Sequence, residues 1–287
     1  MGINGLLAHL KPHLKTVTLR DLKNKVIGID GYDWLYKGAY VDPVKIGKGI
    51  PTSVHVDYCM RKIDLLFQNN ILPLFVFDGG ALPMKKITDD RRKEQLKKLG
   101  LNDNMSKSEM FKEYAKCLSI NHFHAHDLIK VLRVHKIPFI VAPYEADAQL
   151  SYLNKNGLVD AILYKFNNEY AQSLDCDEIL KSLNLSPTQL LTSCVLSGCD
   201  YLESLHGIGL SKAMKLVRKA ESESVDEILN LLERTRLIPT EYRTKIFEAI
   251  FTFRHQRIFC PKLNRLSYLN PINRAELTDK LNYVIGP

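Results

Sequence analysis

Three apolar stretches in this chain end on carboxylates, and that recurrence limits the fold more than any other feature. Lys25 to Asp30 (KVIGID) and Leu72 to Asp78 (LPLFVFD) each close on an aspartate. Ile137 to Ala142 is stopped by Pro143 and followed by Glu145 and Asp147. Short continuous apolar runs read as buried strands, the pattern of a mainly parallel sheet. In open sheets of that kind ligands bind in the crevice beyond the carboxyl ends of the strands. Glu145 and Asp147 open an amphipathic segment, Ala148 to Leu153, that reads as a helix. Two residues apart on a starting helix they point about 200° apart, so each faces a different ion rather than sharing one. Plainer roles are also open to these acids. Glu145 and Asp147 suit the dipole of a first turn, and Asp30 suits the cap of a helix beginning at Tyr32, Trp34 and Leu35. Asp78 fits a cap less well, because Gly79, Gly80 and Pro83 delay any helix.

A chain of 287 residues can bury a full core. Its 40 Lys and Arg against 32 Asp and Glu leave a formal charge of +8, which favours a polyanionic partner. Cys59, Cys117, Cys176, Cys194, Cys199 and Cys260 form no CxxC pair and no framework of bridges, so free thiols in a reducing compartment are expected. The chain shows no signal-peptide core and no apolar run long enough to span a bilayer, so no membrane role is expected.

The remaining segments follow in order. Val54 to Phe67 has helical spacing. From Met84 to about Ser119 the composition turns basic, with Lys85, Lys86, Arg91, Arg92, Lys93, Lys97 and Lys98 in a thinly apolar stretch. Lys85 and Arg92 are seven apart and share a helix face just beyond the Asp78 strand end, so this stretch reads as an insertion over the mouth of a site. His122 and His126 have the spacing of a zinc pair, but no Cys or acid completes it. Leu158 to Phe166 reads as another strand, with Glu169 to Leu174 as an antiparallel partner across the Asn167-Asn168 turn. Leu190 to Gly198 reads as a helix, followed by Asp200. Gly207-Ile208-Gly209 then leads into a helix carrying Lys212, Lys215 and Arg218 on one side, a pattern that suits phosphate binding by bare backbone N–H groups or a tight structural turn. Val225 to Phe259 reads as amphipathic helix with Phe247, Phe251 and Phe253 in its core face.

The ordered motifs MGINGLL, IDGYDWLYKGA (29–39), VFDGGALPMKK (76–86), VAPYEADAQLSYL (141–153), LSGCDYLESLHGIGLSKAMKLV (196–217) and QRIFCPKLNRLSYLNP (256–271) closely resemble the structure-specific 5′ nucleases, the family of flap endonucleases and the XPG repair nuclease, and most of all its exonuclease branch. The resemblance implies an α/β fold with a PIN-like, mainly parallel sheet flanked by helices, a helical arch insertion and a helix-two-turn-helix DNA clamp. It implies a single nuclease domain over 1–287, with an N-terminal region at 1–99, the arch at 79–125, an internal region at 126–220 holding the clamp at 190–219, and a C-terminal helical wrap at 221–287. Asp30, Asp78, Glu145, Asp147 and Asp200 match the family's ligands for two Mg2+ ions. Lys85 and Arg92 match arch residues that steady the scissile phosphate, and Tyr32 matches an aromatic that stacks on a terminal base. Gly2, Gly207, Ile208, Gly209, Lys212 and Lys215 fall on DNA-contacting positions, with K+ beside the Gly207–Gly209 turn. The implied partner is DNA with 5′ ends, nicks or flaps, bound by a monomer in the nucleus, with mismatch-repair proteins as further partners. Clustered carboxylates holding two metals about 4 Å apart suit phosphodiester hydrolysis.

This sequence also departs from the pattern. Tyr36 replaces a usual His, His206 a frequent base, and the arch is a few residues shorter. The family follows the strand matching VDAIL with a Glu-Asp-Ser-Asp-type motif that supplies two more metal ligands, whereas here Leu163-Tyr164-Lys165-Phe166 follows. Asp175-Cys176-Asp177 mimics that pair in spelling. An antiparallel Glu169–Leu174 would carry Asp175 to the far edge of the sheet, about 20 Å away at roughly 3.3 Å per residue. The expected function is a magnesium-dependent 5′-to-3′ DNA exonuclease with flap endonuclease activity; the alternative is a structure-specific DNA-binding member with weak or no catalysis. A PIN-type RNA nuclease fits the carboxylates but not the Gly207 turn.

Overall fold

The computed structural model describes residues 2–3, 5–85, 106–116, 118–163, 170–234, 237–272 and 278–286. Its centre is a four-stranded sheet of β2 (Val26–Asp30), β3 (Leu72–Phe77), β4 (Phe139–Val141) and β5 (Ala161–Leu163), in the order β4-β3-β2-β5. All three pairings are parallel, with Asp30 beside Val76, Phe77 beside Val141 and Ile29 beside Leu163. The four carboxyl ends therefore lie along one edge, and the chain reverses direction across β2, where such sheets open a crevice. The expected mainly parallel α/β architecture is the one observed.

Alternation along the strands covers both faces of the sheet, as a parallel sheet requires. Ile27, Ile29, Phe75 and Phe77 pack on one side with Trp34, Ile63, Leu66, Leu128 and Leu132, from the helices Gly31–Ala39, Val54–Gln68 and His122–Val134. Val76 faces the other side and meets Leu150 and Leu153 of the helix Ala146–Lys155. A second core is wholly helical. The helices Cys176–Leu183, Pro187–Leu196, Leu210–Val217, Val225–Glu233 and Thr240–His255 bury Val195, Ala213, Val217, Ile228, Leu229 and Ile246 among themselves. Pro187–Leu196 starts three residues before the expected Leu190, because Ser186 and Gln189 form a reciprocal cap and Pro187 occupies the first turn.

Several expectations are corrected. Tyr170–Ser173 (β6) does not pair with the strand before it. It lies antiparallel to β1 (Lys15–Thr18) in a separate two-stranded sheet. Within Leu158 to Phe166 only Ala161–Leu163 forms the described strand, and residues 164–169 lie outside the described residues. Val225 to Phe259 is not continuous helix. It comprises two helices, and then Arg257–Cys260 (β7) turns back on Arg265–Tyr268 (β8). Phe247 is 39% exposed, while Phe251 and Phe253 are half-buried.

The hairpin β7–β8 is latched onto the helix Ala146–Lys155, which covers the sheet's second face. The fully buried Gln149 uses its amide as a strand would, donating from Nε2 to the Phe259 carbonyl (2.8 Å) and accepting from the Phe259 N–H at Oε1 (2.7 Å). Cys59, Cys176, Cys194, Cys199 and Cys260 are free thiols. No helix among the described residues is long and apolar enough to cross a membrane.

Candidate active site

At the carboxyl edge, strand geometry brings together acids that sequence separates widely. Asp30 ends β2 and does cap the next helix, accepting from the N–H groups of Tyr32 (2.8 Å) and Asp33 (3.2 Å). Capping and site membership are compatible, because its carboxylate also feels its acidic neighbours. Burial first, then Asp147 and Asp78, push its pKa up to about 7. Asp78 follows β3 at the open mouth of the pocket and accepts from the N–H of Ala146 (2.7 Å), which ties the end of β3 to the start of the Ala146–Lys155 helix. Burial raises its pKa, and Glu145 and Asp147 add to that rise.

Glu145 is the N-cap residue of that helix but makes no capping bond with its side chain, which turns into the interior. It is 7% exposed. Its Oε1 accepts from Lys85 Nζ (2.8 Å), and its Oε2 accepts from the Tyr201 hydroxyl and from Gln256 Nε2 (3.0 Å). Lys85 also reaches Asp200 Oδ2 at 3.6 Å, and Gly2 N–H donates to the same oxygen at 2.8 Å. Burial disfavours the Lys85 ammonium, yet Glu145, then Asp200 and Asp78, outweigh that cost and raise its pKa. Burial and Glu145 likewise raise the pKa of Tyr201, so its hydroxyl stays a donor.

Asp30, Asp78, Glu145, Asp147 and Asp200 thus lie near one edge, linked pairwise by their charges, and Lys85, expected to steady a phosphate, stands as a counter-cation to Glu145, Asp200 and Asp78. Gly2 is exposed and lies against Asp200; a Cβ there would stand 2.8 Å from Asp200 Oδ1. Tyr32 is half-buried with its ring edge-on to Phe77 at 6.4 Å. Arg92 lies outside the described residues. Asp175 is exposed and is the N-cap of Cys176–Leu183, accepting from the Glu178 N–H at 3.0 Å. Tyr201 and Gln256 were missed by sequence reasoning, since neither follows a strand and no local pattern marks them.

The donors are all hard carboxylate oxygens, the kind a divalent cation takes, and the charges of Asp147 and Asp78 add to the burial that raises the Asp30 pKa. Among the described residues, however, no three His, Cys, Asp or Glu side chains stand close enough to hold one ion between them.

The expected phosphate-binding turn lies between Pro187–Leu196 and Leu210–Val217. Gly207 has φ 75°, a conformation that favours glycine, and its carbonyl accepts from Lys212 Nζ at 2.9 Å. Gly209 is the N-cap of the second helix, which begins without a side-chain cap. Lys212 and Lys215 are exposed on that helix, whereas Arg218 turns back to the Leu183 carbonyl. Ile208 is 7% exposed and packs in the helical core, so only its backbone faces outward. A cleft of about 780 Å³ runs beside this turn, lined by Gly5, His9, Ser197, Gly207, Gly209 and Lys212.

A parallel sheet with carboxylates gathered at its carboxyl edge, beside a helical core with a glycine turn, defines a class, and the sequence comparisons agree. The XPG N-terminal domain matches residues 1–99 and the XPG I-region residues 136–165; the chain belongs to the XPG family. It is 35% identical over 300 residues to Exonuclease 1 of Arabidopsis thaliana, which takes in 95% of this chain and 40% of that protein. It is 34% identical over 316 residues to Exonuclease 1 of Xenopus laevis, which takes in 100% of this chain and 43% of that protein. The chain thus spans about two fifths of the length of these relatives. Among solved structures, the catalytic core of Rad2 in complex with DNA substrate shares the fold, with a TM-score of 0.63 at 23% identity over 86% of this chain and 81% of that one.

Proposed function

We propose that this chain is a divalent-metal-dependent 5′ nuclease that hydrolyses phosphodiesters in DNA at 5′ ends, nicks or flaps. The observation that carries the reading is the meeting of Asp30, Asp78, Glu145, Asp147 and Asp200 at the carboxyl edge of the sheet, with Lys85 among them. The similarity to proteins named Exonuclease 1 supports the choice of reaction. Magnesium is the proposed metal, because an all-oxygen, water-completed site suits its small hydrated ion. When bound it would activate water and polarise the phosphate. Asp30, Asp78 and Asp147 are the residues that would bind such an ion through its bound water, with Glu145 and Asp200 beside Lys85 as the remaining carboxylates. The Lys85 ammonium is then placed to pass from Glu145 to a phosphate oxygen, and Tyr32 to stack on a terminal base. The Gly207–Gly209 backbone, with Lys212 and Lys215, would grip a duplex phosphate, with K+ beside the turn. A nuclear monomer that works with mismatch-repair proteins completes the proposal.

A second reading, a structure-specific DNA-binding protein with slow turnover, is favoured by the sequence after β5. β5 ends on Leu163 at the same sheet edge as Asp30, and the three residues next in the sequence, Tyr164, Lys165 and Phe166, include no acid. A second ion would keep mainly Asp147 and Asp200. We therefore expect this chain to bind 5′-flapped or nicked duplexes and to cut them far more slowly than a relative with the acidic pair. Single-turnover cleavage of a labelled flap in magnesium, with Asp78→Ala as background, decides between the readings. Inserting an Asp-x-Asp segment after Leu163 should restore cutting. Robust cutting by the unaltered chain, abolished in Asp78→Ala, would make the pair dispensable.

A further inference from the structure

We infer that Tyr201 and Gln256 are positioning residues for Glu145, setting which of its oxygens the acidic pocket receives. Glu145 is released from capping duty, so its carboxylate is oriented only by what it meets inside. Oε2 takes two donors, the Tyr201 hydroxyl and Gln256 Nε2 at 3.0 Å, and the amide also donates to the Tyr201 hydroxyl oxygen at 3.2 Å. The three groups form a closed triangle that fixes the carboxylate plane. Oε1 is left to the pocket, where the Lys85 ammonium holds it at 2.8 Å. Glu145 thus offers a single oxygen to a cation.

Two further observations argue that the triangle is kept for the site and not for packing alone. Gln256 is 1% exposed and its Oε1 is buried with no partner among the described residues. An apolar side chain would fill that space without stranding an acceptor, so what the amide contributes there is its two N–H donors. Tyr201 directly follows Asp200, so the turn that delivers one pocket carboxylate also delivers the anchor of another. Gln256 joins the Thr240–His255 helix to β7, and through it the C-terminal segment reaches into the pocket.

The inference rests on the acidic pocket being the metal site, and the test separates the two ideas. Mn2+ affinity is measured on the full chain by electron paramagnetic resonance for the wild type, Tyr201→Phe, Gln256→Met, the double variant and Asp78→Ala, together with melting temperatures in chelator. Tyr201→Phe keeps the ring and its packing on Phe253 at 4.7 Å, so it decides the matter even if Gln256→Met folds poorly. Each single variant should weaken Mn2+ binding about tenfold, the typical effect of removing a group that orients a metal ligand. The double variant should fall short of the product, because both donors serve one oxygen. In single-turnover cleavage the half-saturating metal concentration should rise while the plateau rate at saturating metal stays within about twofold. Folded variants with wild-type Mn2+ affinity would overturn the inference. Wild-type affinity retained by Asp78→Ala would instead remove the metal reading of the pocket, and the inference with it.

Discussion

Asp30 and Lys85 carry opposite halves of the same electrostatic problem. In the metal-free chain the Asp30 pKa stands at about 7, against 3.8 for an ordinary aspartate. Between those values the folded chain holds a proton that the unfolded chain has released. Stability is therefore withdrawn as pH rises from about 4 to about 7, by an amount on the order of a few kcal/mol. Asp30→Asn keeps an oxygen for the Tyr32 and Asp33 N–H groups and removes the buried charge. Melts in chelator from pH 5 to 8 should then show a flatter profile and a higher Tm at pH 8; parallel profiles would contradict the assignment. Lys85 answers the charge on the other side of the pocket, bridging Glu145 and Asp200. A divalent ion entering there competes with that ammonium, so Lys85→Met should bind Mn2+ about tenfold more tightly in the absence of DNA. It should nonetheless cut more slowly, with no ammonium to meet the phosphate. Calorimetry or spin resonance reads the first effect, and a drop in affinity would refute it.

The helix Leu210–Val217 makes the clearest prediction among the elements. Lys212 and Lys215 are one turn apart and exposed, beside the cleft at the Gly207 turn. Changing both to Ala should weaken binding to duplex DNA and reduce the slope of log affinity against log salt by about 2, roughly one for each phosphate no longer neutralised. An unchanged slope would leave the turn purely structural. Legibility in the sequence followed locality. β2, β3 and the Ala146–Lys155 helix were readable because an apolar run followed by an acid is a pattern a few residues long. The pair β1–β6 was not: Lys15–Thr18 is short and mostly exposed, and its partner, Tyr170–Ser173, lies far along the chain, so no hydrophobic alternation announces it. The single helix expected over Val225–Phe259 failed for a related reason. Its apolar residues keep helical spacing until Pro239 and Gln256 interrupt it. The anchors of Glu145 left no trace, because bonds across 56 and 111 residues have no period.

Taken as a whole, the molecule has two cores, one around the sheet and one among the helices, and its candidate site draws on both. Asp30, Asp78, Glu145 and Asp147 belong to the sheet, Asp200 and Tyr201 to the turn at the helical core, and Gln256 to the segment that returns. The groups that meet there are far apart in the chain: Gly2 reaches Asp200 across 198 residues, and Glu145 reaches Gln256 across 111.

That last pairing has a consequence in time. A ribosome adding about 5–20 residues per second leaves on the order of ten seconds between making Glu145 and making Gln256. Throughout that interval the emerging chain carries its sheet-edge acids without the amide that sets Glu145. A chain stalled on the ribosome before Gln256 should accordingly bind Mn2+ no better than Gln256→Met does. A protein whose proposed substrate is DNA would thus carry a weakened metal site until Gln256 has been added, by the order in which its residues are made.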